Sequence, residues 1–456
     1  APEPGGVLPQ PLRHDEERRA ATPPVPRPRR PPLHGLRVLD LTGAWIGPYA
    51  AMLLADLGAE VIKIESPRRP DVWRIFRPAA NGKPELPPGT NPRAHPWNTS
   101  FYYNAVNRNK RGIALDLASQ DGREIFLTLV AGADIVMENF TPRVLENFGL
   151  GYEALRRVRP DLIVASFSGY GATGPYRDYK ANGATIETIA GWTALFGYPD
   201  EPPMSLGEME ADPLSGLQMA ALTLVALEHR AQTGEGQRID GAMFEAATGY
   251  IGEELLRAGL SDEPPARLGN GDRAFGPQGV FPCTGNDHWI AISVRDDADW
   301  RALVTVAADA PALHEPRFAS HVGRRAAARE VEAALAEWTS RHDARDLMRR
   351  LQAVGVPAGV VLKTDEVPAD PQFIARSWFR PLAHPDLGER LYGGHPWRFS
   401  RSPLVWRLPP PRVGEHSAEL LSALLAIDGV AYAALVEQGV SGSVLEWPEP
   451  VAAETA

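Results

Sequence analysis

The 456-residue chain has one cysteine, Cys283, so it can form no intramolecular disulfide and no cysteine-based zinc cluster, which suits a reducing cytoplasm. It has no apolar run long enough to span a bilayer, and its N-terminus has no apolar core of the signal-peptide kind. It has no excess of positive charge. Forty-seven Lys and Arg against fifty-seven Asp and Glu give a net charge of -10, which repels phosphate-rich polymers and argues against a nucleic-acid partner. HExxH and P-loop patterns are also missing, so a zinc hydrolase is not indicated, and the turn after the first predicted strand is not GxGxxG, so it does not support a dinucleotide site. What remains is a cytoplasmic globular protein, 44% apolar and 23% charged, long enough for two domains.

Proline and arginine crowd residues 1–32, which carry no apolar period and read as an extended linker to an upstream segment or as a plain tail. Order begins at residue 33. The pattern predicts a strand over 37–41, a helix over 48–57 and a strand over 60–65, a β-α-β unit that implies a parallel sheet. Strands are expected again at 113–117, 135–138 and 162–167, with helices over 120–131 and from 141 onward. Two longer helices follow, over 184–196 and 213–232, the second with Pro213 in its first turn and Gly234 past its end. The expected fold is therefore α/β, a Rossmann-like doubly wound sheet occupying 33–245. Residues 246–385 change character. A hairpin over 280–283 and 288–294, then helices over 299–308, 326–339 and 344–353, predict a smaller α+β domain. A strand near 389–393 and a helix over 417–425 lie in a segment, 386–456, that returns to the first domain.

Three features suggest a ligand at the carboxyl edge of the sheet. The turn Thr42-Gly43-Ala44-Trp45-Ile46-Gly47-Pro48 joins the first strand to the first helix, where free N–H groups and the helix dipole favour an anion. Arg68, Arg69, Arg74 and Arg77 follow the neighbouring strand, and guanidinium groups suit phosphate oxygens. Asn107, Arg108, Asn109, Lys110 and Arg111 add a second basic run, and Gly169, Gly171 and Gly174 follow a third strand. Each alone is equally a tight turn or a solvated face.

Taken together, LRVLDLTGAWIGPYAAMLLADLGAEVIKIESP, NRNKRGIALDL, ADIVMENFTPRVLENFGLGYEAL, SGYGATGPY and HRAQTGEGQRIDGAM resemble, in order and spacing, the class III CoA-transferase family of CaiB/BaiF type. That family includes formyl-CoA, carnitine and benzylsuccinate CoA-transferases and α-methylacyl-CoA racemase. GVPAGVV at 355–361 and the segment around 397–403 resemble its small domain and return strand. The resemblance implies two chains threaded into an interlocked dimer, homo- or heteromeric, acting on acyl-CoA and carboxylate substrates. It implies coenzyme A as substrate, held by Gly43, Ala44, Trp45, Ile46, Arg68, Arg111 and Asn139, and a glycine lid at Gly269 and Gly271.

The family's nucleophile is an Asp eight residues before the Gly of a small-residue-Gly step. Counting back from Ala190-Gly191 places Gly183 there. A glycine cannot form the acyl anhydride and CoA thioester through which such an Asp relays the coenzyme. The racemase's His partner is missing too, since no His occurs between residues 96 and 228. Three carboxylates are candidates to substitute. Glu187 is on the same helical face one turn, about 5.4 Å, along, and is the first choice over Asp178 and Asp212. The alternatives are a catalytically silent CoA-binding subunit, or half of a fused or heteromeric transferase, and an acyl-CoA racemase or isomerase with unusual acid/base groups. Trp45, Trp192 and Phe196 are candidates for the acyl pocket, and Arg177 or Lys180 for a substrate carboxylate.

Overall fold

The computed structural model describes residues 30–75, 95–261, 266–404 and 406–443. The linker reading of the N-terminal segment, for residues 1–29, and the Arg77 assignment lie outside the described residues.

Six strands form one parallel sheet: β1 (Arg37–Asp40), β2 (Glu60–Glu65), β3 (Lys110–Ala114), β4 (Ile135–Glu138), β5 (Ile163–Ser168) and β6 (Arg238–Ala242). Their order across the sheet is β3-β2-β1-β4-β5-β6, so the chain winds outward from β1, then resumes at β4 on its other side. Such a reversal opens a crevice at the carboxyl ends of the two central strands. Alternation along the strands gives each face its own core. Val38, Val61, Ile135 and Ile163 pack against helices α1 (Ile46–Asp56), α4 (Ala211–Thr233) and the shorter α3 (Gly183–Ile189). Leu39, Ile62, Val136 and Val164 pack on the opposite face with α2 (Gln120–Ala131). The doubly wound α/β expectation is met.

The small sheet is antiparallel, in the order β7 (Gln278–Pro282), β8 (Trp289–Ser293), β9 (Ala358–Val360). Its core includes Trp300, Leu335, Trp338, Leu347 and Leu351 from the helices Asp297–Val306, Ala328–Thr339 and Ala344–Ala353. A hairpin, β10 (Phe379–His384) with β11 (Gly388–Gly393), follows. The helix Ser417–Leu425 then returns to the large sheet, where Ser417 Oγ accepts the Ala114 N–H at 3.0 Å and Leu420 joins the core.

Four local expectations are corrected. The strand placed at 113–117 begins at Lys110, because the basic side chains there are neutralised below the turn after β1 instead of facing solvent. The helix expected over 184–196 breaks at Gly191, whose φ of 92° is left-handed, and resumes for Trp192–Leu195. The helix expected from 141 is a single turn, Val144–Asn147. The strand β6 was not foreseen, since RIDGA is a polar edge strand without an apolar run.

Candidate active site

The turn after β1 sits at the mouth of the crevice. Its backbone is already engaged: Thr42 N–H donates to Asp40 at 3.0 Å, Gly43 N–H to Asn139 Oδ1 at 2.8 Å, and Ala44 N–H to Asp71 Oδ1 at 2.9 Å. Asn139 also donates its amide N–H to Gly43 O at 2.8 Å, so one side chain ties the end of β4 to the turn after β1 across the crevice. Ala44 adopts a left-handed φ of 60° to make the bend. The expected anion cradle of free turn N–H groups is thus corrected: the first three are taken within the chain. The attraction that remains belongs to the start of α1, whose cap residue Trp45 makes no side-chain capping bond.

Beneath the turn lies a buried lattice of charges. Lys63 donates to Thr42 O at 2.7 Å and pairs with Asp71 at 3.1 Å; Lys110 donates to Asp40, Asn107 and Pro48 O, each at 2.8 Å. Arg74 grips Glu65 with two bonds of 2.8 and 2.7 Å, donates to Pro411 O at 2.9 Å, and lies 3.5 Å over the Tyr103 ring. Burial works against every one of these charges. In Glu65 the Arg74 partner wins and lowers the carboxyl to about 2; in Lys110 burial wins and lowers the ammonium to about 8, despite Asp40. Removing one partner of such a pair strands the other and costs roughly 3–5 kcal/mol.

This lattice revises the reading of the basic runs. Arg74 is fully buried and spent on Glu65, not offered to phosphate. Asn107, Arg108, Asn109 and Lys110 are also buried, not a solvated face. Arg108 pairs with Asp56 at 2.7 Å, at the far end of α1, where His395 reaches the same carboxylate. Arg111 pairs with Glu60 at 3.4 Å and with Glu419, near the amino ends of the strands. Arg68 and Arg69 remain exposed at the carboxyl edge, with Arg68 3.8 Å from Asp116. Of the expected coenzyme contacts, Gly43, Ala44, Trp45, Ile46, Asn139 and Arg68 are therefore brought to one edge, and Arg111 is not.

A cavity of about 540 Å³ opens beside the turn, lined by Trp45, Tyr49 and Met52 of α1, Pro213 of α4, and Trp378, Leu391 and Tyr392 from the hairpin region. Trp192 does not line it. Its ring is buried and its indole N–H donates to Ala247 O at 2.8 Å, which corrects that assignment. The lid glycines lie elsewhere in the chain's contacts: Gly269 N–H donates to Gly197 O at 3.0 Å, and Asn270 donates to the Tyr198 hydroxyl at 2.9 Å.

The three substitute carboxylates differ sharply. Asp178 is exposed and pairs with Arg143 at 2.9 Å. Glu187 is 1% exposed; one oxygen accepts the Ala211 N–H at 3.2 Å and the other has no hydrogen-bond partner among the described residues. Asp212 is 7% exposed and its carboxylate lies against the Gly183 backbone. Burial pushes the Asp212 carboxyl up to about 7; the Gly183 backbone holds it back and the Glu187 charge adds to the rise. Gly183 has no room for a side chain. A β-carbon there would overlap Asp212 Oδ2 and lie 2.5 Å from Met209 Cβ and 2.9 Å from Met209 O. Sequence counting found Gly183, Glu187 and Asp212 singly; that two helices bring them together was not visible.

Fold and site define an open-sheet α/β protein with a cavity beside the turn after β1 and two buried carboxylates, Glu187 of α3 and Asp212 of α4. The chain belongs to CoA-transferase family III, matched over residues 33–417. It is 34% identical to the succinate–glutarate CoA-transferase of Agrobacterium fabrum over 404 residues, 88% of this chain and 98% of that one. The succinyl-CoA–L-malate CoA-transferase alpha subunit of Chloroflexus aurantiacus is 33% identical over 425 residues, covering 92% of this chain and 95% of the relative. The crystal structure of a CaiB/BaiF family protein from Brucella suis superposes with a TM-score of 0.77 at 32% identity, covering 87% of this chain and all of that one. Among the described residues no helix is long and apolar enough to cross a membrane.

Proposed function

We propose that the protein transfers coenzyme A from an acyl-CoA to a free carboxylic acid through a covalent carboxylate relay at the carboxyl edge of β1. The observation that carries this reading is the pair of buried carboxylates Glu187 of α3 and Asp212 in the first turn of α4, the latter one residue before Pro213, which lines the same cavity as Trp45. A carboxylate suits the task because it can exchange acyl and thioester partners without a net change of charge in the reactants. The exposed guanidinium groups of Arg68 and Arg69 at this edge suit the coenzyme's phosphates. The relatives named for succinate, glutarate and L-malate make small dicarboxylates the first acids to try.

The test is direct. Succinyl-CoA and glutarate are incubated with the pure protein, and glutaryl-CoA and succinate are followed by chromatography; the expected result is their formation in equal amounts. A well-folded protein that neither shifts its melting temperature with coenzyme A nor exchanges it with any of a panel of acids would overturn the reading. A second reading, a non-catalytic subunit, is favoured by Gly183 and by the relative named as an alpha subunit. Transfer that appears only when a second chain is added would select it.

A further inference from the structure

We infer that Asp212, carried by the first turn of α4, is the residue that bonds covalently to the acyl group and to coenzyme A, in the space left by Gly183. This rests on the transferase reading above. Three observations converge on it. The Asp212 carboxylate oxygen lies within overlap distance of the point where a side chain at 183 would begin, so the carboxylate comes from the neighbouring helix into the same place. The Gly183 backbone lies against that oxygen and lowers the carboxyl's pKa, opposing the effect of burial. Pro213, the next residue, lines the cavity that contains Trp45.

Glu187, the first choice from sequence, is the weaker nucleophile on geometry. It is almost wholly enclosed, and one of its oxygens is committed to Ala211 N–H. That bond holds the N-terminal turn of α4, so Glu187 is a positioning residue. Its second oxygen, buried and without a hydrogen-bond partner among the described residues, marks the place as more than a helix cap: a polar atom left unsatisfied in a closed site is a cost that folding alone does not explain.

The chemistry balances with the two substrates alone. An Asp212 oxygen attacks the thioester carbonyl carbon, the C–S bond breaks, and coenzyme A leaves as thiolate from a mixed anhydride. The thiolate attacks the Asp212 carbonyl carbon, the anhydride C–O bond breaks, and the donor acid leaves as carboxylate from an Asp212–CoA thioester. The acceptor carboxylate attacks that thioester and expels the thiolate. The thiolate then takes the acceptor's acyl carbon, and Asp212 returns as carboxylate. No proton is consumed and no other reactant is needed.

The charged group acting on Asp212 is Glu187 on α3, which also faces Glu210 just before α4; Glu210 in turn lies near Glu208. Glu187 raises the Asp212 carboxyl by like charge. Replacing it therefore moves the acid limb of the pH–rate profile.

The experiment traps the enzyme with succinyl-CoA and borohydride, maps the reduced residue by peptide mass, and measures succinyl-CoA to glutarate transfer for the wild type and for D212N, D212E and E187Q. Reduction is expected at 212, with transfer lost by roughly 10³-fold or more in D212N and partly retained in D212E. In E187Q the acid limb shifts to lower pH, a change that a purely structural role would not produce. Reduction at Glu187, wild-type transfer by D212N, or transfer without any reduced Asp212 overturns the assignment and leaves the transferase reading standing. Wild-type protein that transfers nothing overturns both.

Discussion

The carboxylate of Asp212 fills the space that a side chain on Gly183 would need. One residue's lack of a side chain is therefore the condition for the other's position, and the two should respond to mutation as a unit.

Restoring an aspartate at the counted position is the first prediction. Gly183→Asp should lower stability rather than restore a family-like nucleophile, because its β-carbon meets Met209 backbone as well as Asp212. Overpacking of this kind costs about 1–3 kcal/mol. The double variant Gly183→Asp with Asp212→Gly removes one clash and should recover part of the melting temperature. Equal melting temperatures for wild type and Gly183→Asp would refute the packing argument.

Asp212 also sets a pH dependence. Its carboxyl rises from 3.8 to about 7 on folding, so between those values the folded chain keeps a proton that the unfolded chain has released. Stability therefore falls as pH rises from about 4 to about 7 and stays at its lower level above. Asp212→Asn removes this fall. The variant should match the wild type near pH 4 and be more stable at pH 8, by an amount on the order of 4 kcal/mol. Thermal melts at the two pH values decide it, and a variant that is relatively weaker at pH 8 contradicts the assignment.

Asn139 is predicted to act through backbone geometry. Asn139→Ala leaves the Gly43 N–H and C=O without their partner and opens the crevice between β1 and β4. The loss should be roughly 1–3 kcal/mol of stability, together with weaker coenzyme A binding in calorimetry. Asn139→Asp keeps the acceptor for Gly43 N–H but turns the donor to Gly43 O into a second acceptor, so it should recover little of the loss.

Salt should discriminate among the arginines. Arg68→Ala removes an exposed charge from the carboxyl edge and is expected to weaken coenzyme A binding several-fold at low ionic strength, with the difference shrinking at 0.5 M salt as screening lengths shorten. Arg74→Ala, by contrast, should unfold the protein at lower temperature by stranding Glu65. Binding titrations and melts on the two variants that gave the same pattern would remove the distinction.

The architecture was legible from periodicity. The residues of EVIKIE form β2 without adjustment, and 344–353 and 417–425 fall on observed helices, because apolar alternation and helical spacing are local signals. The charge lattice was not legible. Lys63 and Glu65 interrupt an otherwise apolar strand, and that mismatch was the available signal that the interior here is polar. What it could not reveal is the identity of partners as distant in sequence as Asp71 for Lys63, or Asp40 for Lys110. Arginines following a strand read the same whether they face water, as Arg68 does, or a buried glutamate, as Arg74 does. Counting located Gly183 and placed Glu187 one turn away; spatial neighbours from another helix have no sequence spacing, so Asp212 could be named only as one acid among three.

The lattice under the turn after β1 separates two jobs that enzymes often entrust to one set of residues. Lys63, Lys110 and Arg74, locked to Asp71, Asp40 and Glu65, hold the turn after β1 and the start of α1 in place without help from any reacting group. A reactive side chain carried by either of two neighbouring helices would leave that support unchanged.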